Sequence, residues 1–232
     1  PHECVRDMCL IGILGFLSTT INKGHTMAQI LSIHPQSPQP RLIAQAVETL
    51  QKNGVIVYPT DSGYALGCRL GDRDAMERIL QIRQIELSHH LTLVCHDLSE
   101  LGQYAQVDNR QYRLLKQLTP GAYTFILVAT KEVPRRTLHP KRATIGLRVP
   151  DHPVVQALLR ELGEPILSCT LMLPDEDVPL SDADDIAEKI GKRVDLIIDS
   201  GHCEPESTTV LDLTGDEMVV VREGKGKVTH LL

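Results

Sequence analysis

Small hydroxyl side chains and a few arginines recur where the apolar runs of this chain end. The stretch "VIVYPTDSGYALGC" (55–68) begins and finishes as a buried strand and carries Thr60, Asp61 and Ser62 in between. Thr124 follows Pro120-Gly121, Arg148 closes "TIGLR", and Ser168, Cys169 and Thr170 close "ILSCT". Ser207, Thr208 and Thr209 open a later apolar run, and Arg222 precedes Glu223-Gly224. Open α/β sheets bind ligands outside their strand ends, so polar groups at several ends can converge on one ligand. Hydroxyls both donate and accept, and guanidinium groups grip phosphate or carboxylate with charge-assisted hydrogen bonds, so the expected ligand is anionic.

Other site chemistries are excluded or weak. "EGKGKV" is not a phosphate-binding P-loop, and no G-x-G-x-x-G, H-E-x-x-H or G-x-S-x-G is present. His89-His90 reads as a loop pair, with no third metal ligand nearby in sequence. Cys203 adjoins His202, but neighbours on an extended chain point apart, which argues against a nucleophile and its base. The acids of "LPDEDVPLSDADD" suit a solvated loop and a helix N-terminus better than a carboxylate metal site. No metal-binding residues are expected. Six cysteines without a C-x-x-C pair fit reduced thiols in a cytosolic protein.

A net charge of −6 argues against a protein that coats nucleic acid through its overall charge. Between Lys131 and Arg148, however, six cations (Lys131, Arg135, Arg136, Lys141, Arg142 and Arg148) face one acid, Glu132, a local charge of +5. Such an edge suits a phosphate ligand or an RNA backbone. Lys131, Arg135 and Arg136 read singly as a solvated loop. Arg148 alternates with Ile145, Leu147 and Val149, so it points away from their core. It is expected to line a groove and meet phosphate, with the fold indifferent to its removal.

The elements that position these groups follow from periodicity. Leu42, Ala46, Val47 and Leu50 predict a helix ending at Asn53-Gly54, and a second is predicted from about Asp72 to Arg83. Asp97 to Glu100 resembles a capping box, Asp108 caps a further helix, Asp151-His152-Pro153 starts another over 152–162, and Ser181 caps a last one. Strands are predicted at 55–58, 91–95, 122–130, 143–150, 166–170, 194–198, 208–213 and 218–222. The alternation implies α/β architecture, a twisted mixed open sheet with flanking helices, since 122–149 contains no crossover helix. Residues 27–232 suffice for a single domain. Residues 1–26 carry an apolar run, Leu10 to Leu17, too short to span a bilayer, and no A-x-A cleavage site. Lys23-Gly24 requires purine-rich codons a short way upstream of Met27, so 1–26 are expected to be a leader or a disordered segment.

The blocks "GVIVYPTDSGYALGC", "PGAYTFIL", "TIGLRVP", "STTVLDL" and "VREG", in that order over roughly residues 38–226, resemble the YrdC/YciO-like family, to which threonylcarbamoyl-AMP synthase belongs, and most of all its YciO branch. The resemblance implies a YrdC-like fold with one concave, positively charged groove that binds ATP as a substrate, with Mg²⁺ on the nucleotide. L-threonine and bicarbonate or CO2 are the other implied substrates, in a cytoplasmic protein of tRNA modification. It implies groove positions at Thr60, Arg83, Thr124, Arg148, Ser168, Thr170, Ser207 and Arg222, with Thr60 helping to hold the amino acid. The alternative it carries is a module for double-stranded or otherwise structured RNA, or for a nucleotide, without synthase activity. Where synthases carry Lys-x-Arg-Pro after the second helix, this chain has Arg83, Ile85 and Glu86; where they carry Ser-x-Asn, it has Thr170 and Met172. Ile85 and Met172 offer no comparable donors, which implies a weakened hold on ATP.

Overall fold

The computed structural model describes residues 27–86, 91–139, 141–174 and 176–229. Residues 1–26 and His89-His90 lie outside the described residues. The helices among them are α1 (Pro40–Gln51), α2 (Arg73–Arg83), α3 (Leu98–Tyr104), α4 (Asn109–Leu118), α5 (Pro153–Leu162) and α6 (Ala183–Ile190). Each buries one stripe: α1 turns Ile43, Ala46, Val47 and Leu50 inward, so Ile43 takes the position expected for Leu42. Asp72 caps α2 by accepting from the Ala75 amide, and Asp108 with Gln111 forms a full capping box on α4.

Three helix starts differ from expectation. Asp182, not Ser181, caps α6, because its carboxylate reaches the Asp184 and Asp185 amides. At α3, Asp97 accepts from the Glu100 amide, but Glu100 reaches back to the amide of His96 instead of closing a box. α5 begins at Pro153 with no side-chain cap, and Asp151 instead donates its amide to Asp61.

The strands are β1 (Gln29–Ser32), β2 (Ile56–Thr60), β3 (Gly63–Arg69), β4 (Thr92–Val94), β5 (Tyr123–Val128), β6 (Thr144–Arg148), β7 (Ile166–Thr170), β8 (Leu196–Asp199), β9 (Thr209–Asp212) and β10 (Val219–Arg222). They form one mixed sheet in the order β1-β8-β2-β3-β7-β4-β6-β5-β9-β10. β1 was not foreseen. "QILS" is short and leaves Ile30 exposed, and its strand character comes from parallel pairing with β8, nearly 170 residues on. No helix among the described residues is long and apolar enough to cross a membrane.

The two faces of the sheet are finished differently. α2, α3, α4 and α6 cover one face along its length, packing on Val57, Leu66, Leu93, Phe125, Leu147, Leu167 and Leu211. On the other face α1 and α5 pack on Ile56, Tyr58, Ile166, Leu196 and Ile198. Among the described residues no helix covers the rest of that face.

Candidate functional site

Period-two alternation carries three strands from the covered part of this face into the bare part. On β2, Ile56 and Tyr58 lie beneath the helices and Thr60 follows on the same side; on β7, Ile166 is followed by Ser168 and Thr170; on β4, Val94 is preceded by Thr92. β6 and β5 add Gly146, Arg148, Thr124 and Ile126, and β9 adds Val210 with the preceding Thr208. The result is a groove of about 440 Å³, inside the range of small-molecule sites. All eight residues expected at a site (Thr60, Arg83, Thr124, Arg148, Ser168, Thr170, Ser207 and Arg222) line it.

Several of their hydroxyls are already committed within the protein, chiefly to the backbone. Thr60 Oγ1 donates to the Gly63 carbonyl at 2.7 Å and accepts from the Ser62 amide at 3.2 Å, which fixes the β2–β3 turn. Ser168 Oγ donates to the Leu66 carbonyl at 3.0 Å and accepts from the Tyr58 hydroxyl at 2.7 Å. Full burial pushes the Tyr58 phenol up to about 12, so it stays a donor at neutral pH. Thr124 and Thr208 share a hydrogen bond of 2.9 Å. To a ligand these groups offer chiefly their remaining lone pairs.

Arg148 differs most from expectation. Its guanidinium pairs with Asp61 and donates to Ser62 Oγ at 3.1 Å, and both side chains of the ion pair are about nine-tenths buried. Asp61 is held from behind by the Asp151 amide at 3.1 Å, while Lys225 Nζ donates to the Asp61 carbonyl at 2.7 Å. Arg148 Nε is buried without a hydrogen-bond partner. Arg148 therefore lines the groove as half of a neutral pair, and the expectation that the fold is indifferent to its removal fails: taking it away would strand a buried carboxylate.

Arg222 reaches the groove through a bulge. In the β9–β10 ladder Val220 pairs with Leu211 and Arg222 with Val210, so Val221 and Arg222 stand together on the groove side. Regular pairing would have put Arg222 opposite Thr209, on the face covered by helices. Its Nε and Nη2 donate to the Thr208 carbonyl. Across the groove, Arg83 at the end of α2 donates Nε to Cys169 Sγ at 3.4 Å, and burial raises the Cys169 thiol above its usual range.

Ile85 and Met172 stand in the groove beside Pro179. The cations of 131–142 do not line it: that segment joins β5 to β6 beyond Val128 and Thr144, four residues or about 13 Å along the strand from Arg148. The basic stretch is thus two separate features. Thr92 and Gly146 were missed as groove residues. Gly146 carried a signal, lying two positions from Arg148, whereas no residue of the strand around Thr92 had been assigned to a face. No group of three or more His, Cys, Asp or Glu able to hold a metal occurs among the described residues.

A family model named Sua5/YciO/YrdC, described as "Telomere recombination", matches residues 48–224. Escherichia coli YciO is 58% identical over 206 residues, 89% of this chain and all of that protein, and its crystal structure superposes with a TM-score of 0.86. The threonylcarbamoyl-AMP synthase of Pseudoalteromonas translucida is 34% identical over 173 residues, 71% of this chain and 90% of that one. P. abyssi Sua5 complexed with L-threonine is 23% identical, with a TM-score of 0.78 over 84% of this chain and 57% of that one, a likeness of fold.

Proposed function

This chain belongs to the Sua5/YciO/YrdC family, and we propose that its groove binds ATP and L-threonine and supports threonylcarbamoyl-AMP synthesis in attenuated form. In that reaction threonine and CO2 or bicarbonate give a carbamate. A carbamate oxygen attacks the α-phosphorus of ATP, the bond to the β-phosphate breaks, and pyrophosphate leaves. Such chemistry depends on positioning and charge stabilisation more than on covalent help from the protein.

The observation that carries this reading is convergence: eight residues from separate stretches of sequence line one groove. Arg83 and Arg222 supply cations from opposite sides, and Thr60 and Ser62, on the turn that the Asp61–Arg148 pair stabilises, supply the amino-acid end. No Asp or Glu lines the groove among the described residues, so the protein offers Mg²⁺ no carboxylate. The metal would be held by the nucleotide's own oxygens. Ile85 and Met172, in place of a cation and an amide, account for the attenuation.

A module for duplex RNA draws less support, because the 131–142 cations lie away from the groove and the two would not form one binding surface. The test is to incubate the protein with ATP, L-threonine and bicarbonate and to follow AMP and pyrophosphate. Slow turnover that requires both threonine and bicarbonate is expected. Turnover indifferent to either, or none at high enzyme concentration, overturns the synthase reading.

A further inference from the structure

The groove's charges and apolar groups are distributed unevenly. Three arginines line it, but Asp61 neutralises Arg148, which leaves Arg83 and Arg222 as the cations free to meet a ligand's charge among the described residues. Beyond Arg83 the wall turns apolar at once. Ile85 lies two residues further along the same segment, and Met172 lies three residues after Cys169, the residue that Arg83 touches. Pro179 closes this side, brought there by the hydrogen bond of 3.1 Å from the Leu180 amide to the Leu171 carbonyl. A phosphate beside Arg83 has a cation to meet. A second and third phosphate extending past it would exchange water for Ile85, Met172 and Pro179, which offer no side-chain donor, and an unpaired charge is costly to desolvate.

A phosphate monoester places its charge of about −1.5 to −2 on one group that a groove arginine can meet, whereas MgATP, of similar net charge, spreads it over three phosphates, two of which would lie along the apolar wall, with no groove carboxylate among the described residues to help seat the metal. We infer that the groove holds the monophosphate side of its reaction, an adenylate with one phosphate flanked by a less polar group, more tightly than ATP. This rests on the nucleotide reading above and narrows it: the site is shaped for an acyl-adenylate or its AMP remnant, and ATP is its weaker ligand. The apolar wall is then the surface that meets whatever substituent the adenylate carries in place of pyrophosphate.

Calorimetric titration of the full chain with AMP, and separately with ATP plus Mg²⁺, tests this. The expected result is a Kd for AMP equal to or below that for MgATP. A lower Kd for MgATP overturns the inference and leaves the nucleotide reading standing, whereas failure of both ligands to bind overturns the nucleotide reading itself. The variant Ile85→Arg supplies a second readout. It should tighten MgATP at least tenfold while AMP changes less than threefold. An equal gain for both ligands, or for neither, shows that the apolar wall does not discriminate between them and overturns the inference.

Discussion

Beneath α1 and α5 the sheet presents Ile56, Tyr58, Ile166, Leu196 and Ile198; a few strands across, the same face presents Thr92, Thr124, Gly146, Arg148 and Ser168. Single strands run through both regions: β7 carries Ile166 and Ser168, β2 continues from Tyr58 to Thr60, and β4 carries Val94 and Thr92. What changes is the partner. Where a helix packs, the alternate positions are large and apolar, and burying each contributes about 1.5 to 3 kcal/mol. Where none of the described helices packs, several of the same positions are small or hydroxylated, and hydrogen bonds between Thr124 and Thr208, and between Ser168 and both Tyr58 and the Leu66 carbonyl, hold part of the bare half without a cover. A β-strand whose alternate residues switch from apolar to hydroxyl partway along therefore marks the rim of a groove.

The largest test of this contrast is the buried ion pair, because it puts a charge on the bare half where the covered half has only hydrocarbon. Arg148→Met should destabilise by about 3 to 5 kcal/mol, since the Asp61 carboxylate is left buried and unpaired. Adding Asp61→Asn should recover most of that loss, measured by urea denaturation. A single variant that loses under about 1 kcal/mol would mean that Asp61 swings out to water, and that Arg148 is as free as an exposed groove cation.

That pair also shows where sequence reasoning stopped. The helices, most strands and the eight groove residues could be read from periodicity, strand ends and family motifs, because each of those signals is local or ordered along the chain. The Asp61–Arg148 pairing spans 87 residues and depends on the turn after Pro150, which brings the Asp151 amide to the same carboxylate. No local pattern contains it. Within the basic stretch the division was legible, because Arg148 alternates with apolar residues and the loop cations do not; the loop and Arg148 stand at opposite ends of a β-strand. The bulge in β10 changes the side on which Arg222 emerges, and "VVVR" gives no sign of it. β1 was invisible because its partner strand supplies its stability.

Two strand glycines give a smaller and more controlled comparison. A Cβ on Gly67, in the covered half, would stand 2.7 Å from Tyr58 Cε1 and 2.8 Å from Ile166 Cγ2, both locked beneath the helices. A Cβ on Gly146, in the bare half, would meet Thr92 Oγ1 at 3.1 Å and Thr124 Cγ2 at 3.5 Å, with open groove above. Gly67→Ala should therefore cost about 1 to 3 kcal/mol through overpacking. Gly146→Ala should stay within about 1 kcal/mol of the wild type while its methyl group intrudes on the ligand. Thermal melts with and without nucleotide separate these outcomes: Gly67→Ala melts lower but still gains stability from nucleotide, and Gly146→Ala melts normally but gains less. If both variants lose only stability, the bare half is packed as rigidly as the covered one.

The smallest effect belongs to Tyr58, which joins the halves: its ring lies in the covered core and its hydroxyl reaches Ser168 on the groove wall. Tyr58→Phe removes one buried hydrogen bond, worth about 1 kcal/mol at pH 7, and Ser168 stays anchored through Leu66. The pH dependence identifies the group. An unfolded tyrosine loses its proton near 10, whereas burial raises the folded Tyr58 to about 12. Between these values the unfolded chain binds fewer protons than the folded one, so Tyr58 contributes stability that is fully present below pH 10 and is lost as pH rises through 12, at about 1.4 kcal/mol per pH unit. Cys68, raised to about 12 by burial, adds a loss that begins near pH 9 but is common to both proteins. Denaturation of wild type and Tyr58→Phe at pH 7, 10 and 11 should show the advantage of the wild type steady up to about pH 10, then closing and reversing. A difference that stays constant to pH 11 would place the Tyr58 hydroxyl in contact with water from the groove, and the boundary between the two halves would then lie one residue further under the helices.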